Sequence, residues 1–186
     1  MAVITDRSTK APLLDIKRIG HGTLESRDLV KTRRFYEEVL GFDVIQTSPR
    51  SLLIRKGLNH SYAVVENPKL EREMSRLNHN GLDVPSREAV DRAYQLLAQV
   101  KDEYGIRKLS HPAEQHGDYA FYFQDLDGNW WEIVAVDESA NGYVSIFSDP
   151  RFDLTGRHEL DGVVKGHVHD AADRERFAAS ATGESK

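Results

Sequence analysis

Residues 21–42 read HGTLESRDLVKTRRFYEEVLGF, and residues 79–106 read HNGLDVPSREAVDRAYQLLAQVKDEYGI. Laid over one another, His21 falls on His79, Leu24 on Leu82, Glu25 on Asp83 and Tyr36 on Tyr94. The match resumes downstream, where KGLNHSYAVVE (56–66) lies over DGNWWEIVAVD (127–137) and sets Ser61 opposite Glu132. Self-similarity at this spacing means one supersecondary unit used twice. Each copy opens with a β-type segment, 16–24 and 77–84. A helical pattern follows, with apolar residues near 3.6 spacing: Leu29, Phe35, Tyr36, Val39 and Leu40, then Val90, Ala93, Tyr94, Leu97 and Val100. Asp28 and Ser86 stand where N-caps belong, and Gly41 and Gly105 where C-cap glycines belong. Strand-like runs come next, at 42–47, 51–55 and 61–66, then at 106–110, 119–124 and 130–136. Ser48-Pro49, Lys56-Gly57 and Asp127-Gly128-Asn129 supply the turns. The unit is βαβββ, twice.

An α+β domain is therefore expected, with an extension at 1–14, a first module at 15–66 and a charged connector at 67–76. A second module spans 77–137, and a partly disordered tail spans 138–186. Within that tail, GYVSIFSDPRFDLTGRHEL (142–160) carries enough aromatics to pack on the domain or on a neighbour. Composition narrows the chemistry. The 186 residues hold no cysteine, which removes disulfides, thiolate zinc sites, iron–sulfur clusters and a Cys nucleophile, and leaves eight histidines and the carboxylates for metals. With 25 basic and 30 acidic residues the net charge is −5 and no basic block offers a phosphate footprint, so nucleic acid is not an expected partner. The opening MAVITDRSTK lacks a signal-peptide apolar stretch, and no apolar run approaches the ~20 residues that span a bilayer. A cytoplasmic protein with no membrane partner is the default expectation.

His21 and His79 hold matched positions in the first strands of the two copies. If the copies pack about a pseudo-two-fold axis, those imidazoles converge on one point. Glu132, set among Trp130, Trp131, Ile133 and Val134, is a carboxylate that demands a partner. Two histidines and one carboxylate with open positions make the facial triad of non-haem Fe(II) enzymes. Taken singly, each histidine also reads as a strand residue satisfied by backbone.

The segments RIGH (18–21), RRFYEEVLGF (33–42), NHNGLDV (78–84) and DLDGNWWE (125–132) together resemble the vicinal-oxygen-chelate superfamily, which contains glyoxalase I, antibiotic-resistance binding proteins and type I extradiol dioxygenases. The resemblance covers roughly residues 15–137 and implies two βαβββ modules forming a curved mixed sheet around a metal site, with His21, His79 and Glu132 as ligands. In glyoxalase I a fourth ligand, a glutamate, comes from the other module's last strand; here Ser61 stands opposite Glu132, which counts against a glyoxalase. Asn59-His60-Ser61-Tyr62-Ala63 resembles the extradiol segment whose histidine acts beside the metal, and HGDYAFYFQDLDGNWWE (116–132) resembles the extradiol signature. In that signature a histidine and a tyrosine, here His116 and Tyr122, precede the glutamate ligand; the gap between them is one residue short, and Leu126 replaces the usual proline.

The resemblance implies a one-domain extradiol dioxygenase that inserts dioxygen into a catechol at Fe(II), with Mn(II) as the alternative metal. His60 would act as acid–base, and His116 and Tyr122 would hydrogen-bond the catechol oxygens. On residues alone, His60 also reads as an ordinary strand residue, His116 as a solvated loop residue and Tyr122 as aromatic core. Trp130, Phe121 or Tyr62 are candidates for the pocket wall. Edge strands and the aromatic tail point to a homo-oligomer. Two other functions stay open: a metal-dependent isomerase, epimerase or lyase of the same superfamily, and a metal-free small-molecule-binding module.

Overall fold

A computed structural model of the chain describes residues 5–57, 60–115 and 118–135, together with residues 147, 153, 155 and 156. The first module runs β1 (His21–Ser26), α1 (Leu29–Glu38), β2 (Asp43–Ser48), β3 (Ser51–Arg55) and β4 (Ser61–Glu66). The second runs β5 (His79–Val84), α2 (Arg87–Tyr104), β6 (Lys108–Leu109), β7 (Ala113–Gln115), β8 (Asp118–Gln124) and β9 (Trp130–Ala135). Both helices begin as their sequences predict. The Asp28 carboxylate accepts the N–H groups of Val30 and Lys31 at 3.0 and 3.2 Å, and the Ser86 hydroxyl accepts that of Ala89 at 3.2 Å. α2 stops at Gly105, whose φ of 68° places it in the left-handed region that favours glycine. α1 is capped earlier, by Val39, and Gly41 takes the left-handed turn beyond it.

The mixed sheet is divided by module into two hydrogen-bonded parts, ordered β1-β4-β3-β2 and β5-β9-β8-β6, with β7 also pairing β8. In each, the first strand lies at an edge, parallel to the last strand; the remaining pairs are antiparallel. β7 had no signal in the sequence. The first strand is also shorter than expected: residues 16–20 are exposed and outside it, because β4 begins at Ser61 and offers no partner ahead of His21. His21 and His79 thus head their strands rather than sitting in mid-strand.

Strand alternation sends Leu24, Leu52, Ile54 and Val64 of the first sheet, and Phe121, Phe123, Trp131 and Ile133 of the second, into one core with Phe35 and Tyr36 of α1 and Val90 and Leu97 of α2. Phe35 packs against both Tyr104 and Phe123, with ring centroids 6.4 Å apart in each pair, so α1 is shared between the modules. Polar contacts lock the same junction. The turn 125–129 folds back on the first module: Asp127 accepts the Arg27 N–H at 2.7 Å and the Thr32 hydroxyl, while Asp125 accepts the Tyr36 hydroxyl at 3.0 Å. From the tail, Asp153 pairs with Arg7, and the Gly156 N–H donates to the Thr5 carbonyl at 3.0 Å. Apart from residues 147 and 155, the rest of the tail 138–186, for which partial disorder is expected, lies outside the described residues. Among those residues no helix is long and apolar enough to cross a membrane.

Candidate metal centre

His79, Glu132 and Tyr122 lie on the face of the second sheet turned away from the core. Their neighbours Trp131, Ile133, Phe121 and Phe123 point inward, so the pleat turns the alternate residues outward. Tyr122 and Glu132 are directly opposite in the β8–β9 register. His79 Nε2 lies 3.3 Å from Glu132 Oε2. The other ring nitrogen, Nδ1, is 2.8 Å from the Arg76 carbonyl, which can only accept; Nδ1 therefore carries a proton, and the carboxylate favours a second one on Nε2, the nitrogen that would turn its lone pair to a metal in that proton's place. This is the arrangement that orients a metal-ligating histidine. The carboxylate also raises the His79 pKa above the ordinary 6.5, its hydrogen bond outweighing the opposing effect of partial burial. Tyr122, almost fully buried, packs edge-on to the His79 ring at 5.0 Å.

Two further residues, Asp83 and Arg76, share this face without a motif that marks them. Asp83, aligned in the repeat only with Glu25, follows His79 and Gly81 along β5, and its pKa is raised by burial and then by the charge of Glu132. Arg76, from the charged connector, lies with its guanidinium 5.1 Å from the centroid of the Tyr122 ring. Trp130 is on the same face as Glu132, and its indole N–H donates to the Met74 carbonyl at 2.9 Å. Phe121 and Tyr62 face the core and are not wall residues of this face. Tyr62 instead bridges the modules: its hydroxyl donates to Asn80 Oδ1 at 2.6 Å.

His21 is placed elsewhere. It is exposed at the head of β1, in the first sheet, and among the described residues no three His, Asp or Glu side chains come together as a metal-binding group. The expected convergence of His21 with His79 is therefore not seen within one copy. β1 and β5 are edge strands of different sheets, and no backbone ladder between them sets their spacing. His60 is exposed just ahead of β4, its ring 4.8 Å from that of Tyr62. His116 lies outside the described residues.

Strand register also revises the internal alignment. His21 pairs with Ser61 and Thr23 with Ala63, whereas His79 pairs with Trp130 and Gly81 with Glu132. Two residues past the histidine of each copy, the counterpart of Glu132 is therefore Ala63 rather than Ser61. A shift of two keeps the same face, and the alanine side chain has no donor atom, so this position offers no ligand where the resemblance would place the glyoxalase glutamate.

The family model described as the Glyoxalase/Bleomycin resistance protein/Dioxygenase superfamily matches residues 18–133, more than half of the chain. The chain belongs to this superfamily. Among curated superfamily relatives, it is 32% identical over 126 residues to the catechol-2,3-dioxygenase of Bacillus subtilis (strain 168). That match takes in 63% of this chain and 41% of the relative, so the chain spans about two fifths of that protein's length. Solved structures show the same superfamily fold. The fosfomycin resistance protein FosX of Listeria monocytogenes, complexed with Mn(II) and sulfate, superposes with TM-score 0.53 at 22% identity, over 65% of this chain and 91% of that one. A glyoxalase/bleomycin resistance protein/dioxygenase from Nocardioides superposes with TM-score 0.51 at 23% identity, over 67% and 87%.

Proposed function

We propose that this protein is a ring-cleaving extradiol dioxygenase acting on a catechol-type diol at a metal held by His79, Glu132 and His21. The observation that carries this reading is the oriented His79–Glu132 pair with Tyr122 against it, on a chain 32% identical over 126 residues to a catechol-2,3-dioxygenase. The donor set suits Fe(II), with Mn(II) as the alternative: one carboxylate, and neutral imidazole nitrogen with its proton committed elsewhere. Held by His79, Glu132 and His21, such a metal would supply Lewis-acid and redox chemistry to a diol and dioxygen.

The chain's own groups do the rest. The Arg76 carbonyl keeps His79 in one tautomer, and the buried setting of Glu132 favours its neutralisation by a cation. Tyr122, next to both, supplies a phenol to hold a substrate oxygen. His60 serves as acid–base and His116 as a further hydrogen-bond partner for the diol. Because one copy does not gather His21 with the other two, the exposed β1 edge of a second copy supplies it, in a homo-oligomer. Ala63 opposite Glu132 disfavours the glyoxalase-like isomerase reading.

Oxygen uptake tests the proposal, with protein reconstituted anaerobically with Fe(II) and offered catechol, 3-methylcatechol and 2,3-dihydroxybiphenyl. About one dioxygen per ring and a yellow product are expected, both lost in His79→Ala and Glu132→Ala. Mixing His21→Ala with Glu132→Ala then restores part of the activity if sites are shared between copies. Bound metal without uptake on any diol transfers the reading to an isomerase or lyase, and failure to bind metal sinks both.

A further inference from the structure

By sequence the connector 67–76 is a charged link between modules, yet its last residues are fastened to the proposed site. Trp130 donates to the Met74 carbonyl at 2.9 Å, and His79 Nδ1 to the Arg76 carbonyl at 2.8 Å. Within the turn, the Asn78 N–H donates to the Ser75 carbonyl at 2.9 Å and the Leu77 N–H to the Ser75 hydroxyl at 3.3 Å. Residues 74–78 are thus a built ledge along the outward face of β5 and β9. From it the half-buried Arg76 side chain reaches over Tyr122, the ring that packs on His79.

The charges around this ledge are unevenly answered. Glu132 and Asp83 put two carboxylates on the face. Lys108, over the Trp130 ring, is held by Glu73 at 2.6 Å. Arg76 has no ion-pair partner among the described residues. An arginine lodged half out of water without a carboxylate keeps its five donors for a planar anion, which a guanidinium grips through two parallel hydrogen bonds. Before any metal binds, these two carboxylates disfavour an anion over the β5–β9 face itself and leave the ledge as its cationic margin.

We infer that Arg76 is a substrate-binding residue which selects a ligand carrying a carboxylate, so that the ring diol is turned toward His79 and Glu132 and the anionic substituent toward residues 74–78. The diol in this statement rests on the proposed function; the anion site does not.

The test is calorimetric binding, under nitrogen, to protein loaded with Zn(II), which holds the ligand set but transfers no electrons. The probes are 3,4-dihydroxyphenylacetate, its neutral relative 4-ethylcatechol, and phenylacetate, which has no diol. The acid should bind at least tenfold more tightly than 4-ethylcatechol, and the preference should shrink with salt. Arg76→Gln should bring the affinity for the acid down to that for 4-ethylcatechol measured on the same variant, and Arg76→Lys should keep part of the preference. Equal affinity for acid and neutral diol, or a preference that survives in Arg76→Gln, overturns the inference. Arg76-dependent binding of phenylacetate, with no oxygen uptake on any catechol, upholds the anion site and rejects the dioxygenase.

Discussion

Asp125 offers the sharpest test of how the two modules are held together. Its carboxylate is fully buried. Oδ1 accepts the N–H groups of Asp127 and Asn129, each at 2.9 Å, and Oδ2 accepts the Tyr36 hydroxyl at 3.0 Å, the Trp131 indole N–H at 3.1 Å and the Asn129 side-chain amide at 3.0 Å. Asp125→Ala strands these donors, and each unsatisfied buried donor costs about 1–3 kcal/mol before relaxation or water offsets some of it. A net loss of ~3–5 kcal/mol is expected, a large share of a typical domain's stability. Asp125→Asn is milder, at ~1–3 kcal/mol: an amide at Oδ2 can still donate to the Tyr36 oxygen, but it leaves the Trp131 N–H without an acceptor. Urea unfolding at pH 7, followed by tryptophan fluorescence, measures both from the midpoint at unchanged slope. A second signature is in pH. Burial outweighs these hydrogen bonds and raises the Asp125 pKa above 3.8, so the native state holds this proton more firmly than the unfolded one. Its contribution is fullest below the unfolded pKa and falls as pH rises through the raised value; Asp125→Asn removes that decline. An alanine variant within 1 kcal/mol of wild type would refute the account of the turn as the lock between modules.

Three further outcomes follow from the site. The raised pKa of His79 means its protonated form contributes stability below pH 6.5 that is lost as pH rises through the higher folded value. Metal-free protein should show this in denaturation between pH 5.5 and 8.5, metal affinity should rise over the same window, and His79→Gln should flatten both. A Cβ at Gly22 would lie 2.6 Å from the Tyr62 ring, so Gly22→Ala should displace Tyr62 from Asn80 and cost ~1–3 kcal/mol, read as a lowered melting temperature. Tyr122→Phe keeps the packing against His79 and loses only the hydroxyl; metal content should hold while oxygen uptake falls by about 10²-fold, the scale for losing one positioned donor. Full activity in that variant would remove Tyr122 from the reaction.

The repeat and the elements inside it were legible along the chain because their causes are local. Helix periodicity, the caps Asp28, Ser86 and Gly105, and strands 51–55 and 61–66 depend on residues a few positions apart. Pairing was not local. Residues 16–20 have a strand-like pattern but no strand beyond Ser61 to meet them, and the partner register, not the alignment, names Ala63 as the counterpart of Glu132. At the site, the sequence alone picked out His79, Glu132 and Tyr122, because residue type and family motif are both properties of the chain. Their meeting at 3.3 and 5.0 Å, the placement of His21 apart from them, and the position of Arg76 over Tyr122 were decided by the tertiary structure. The same holds for the turn 125–129, legible as a turn but not as the lock onto Tyr36 and Thr32. Contacts between edges of separate sheets, and between a connector and a strand face, are set by how two modules pack on one core. No short-range pattern encodes that packing.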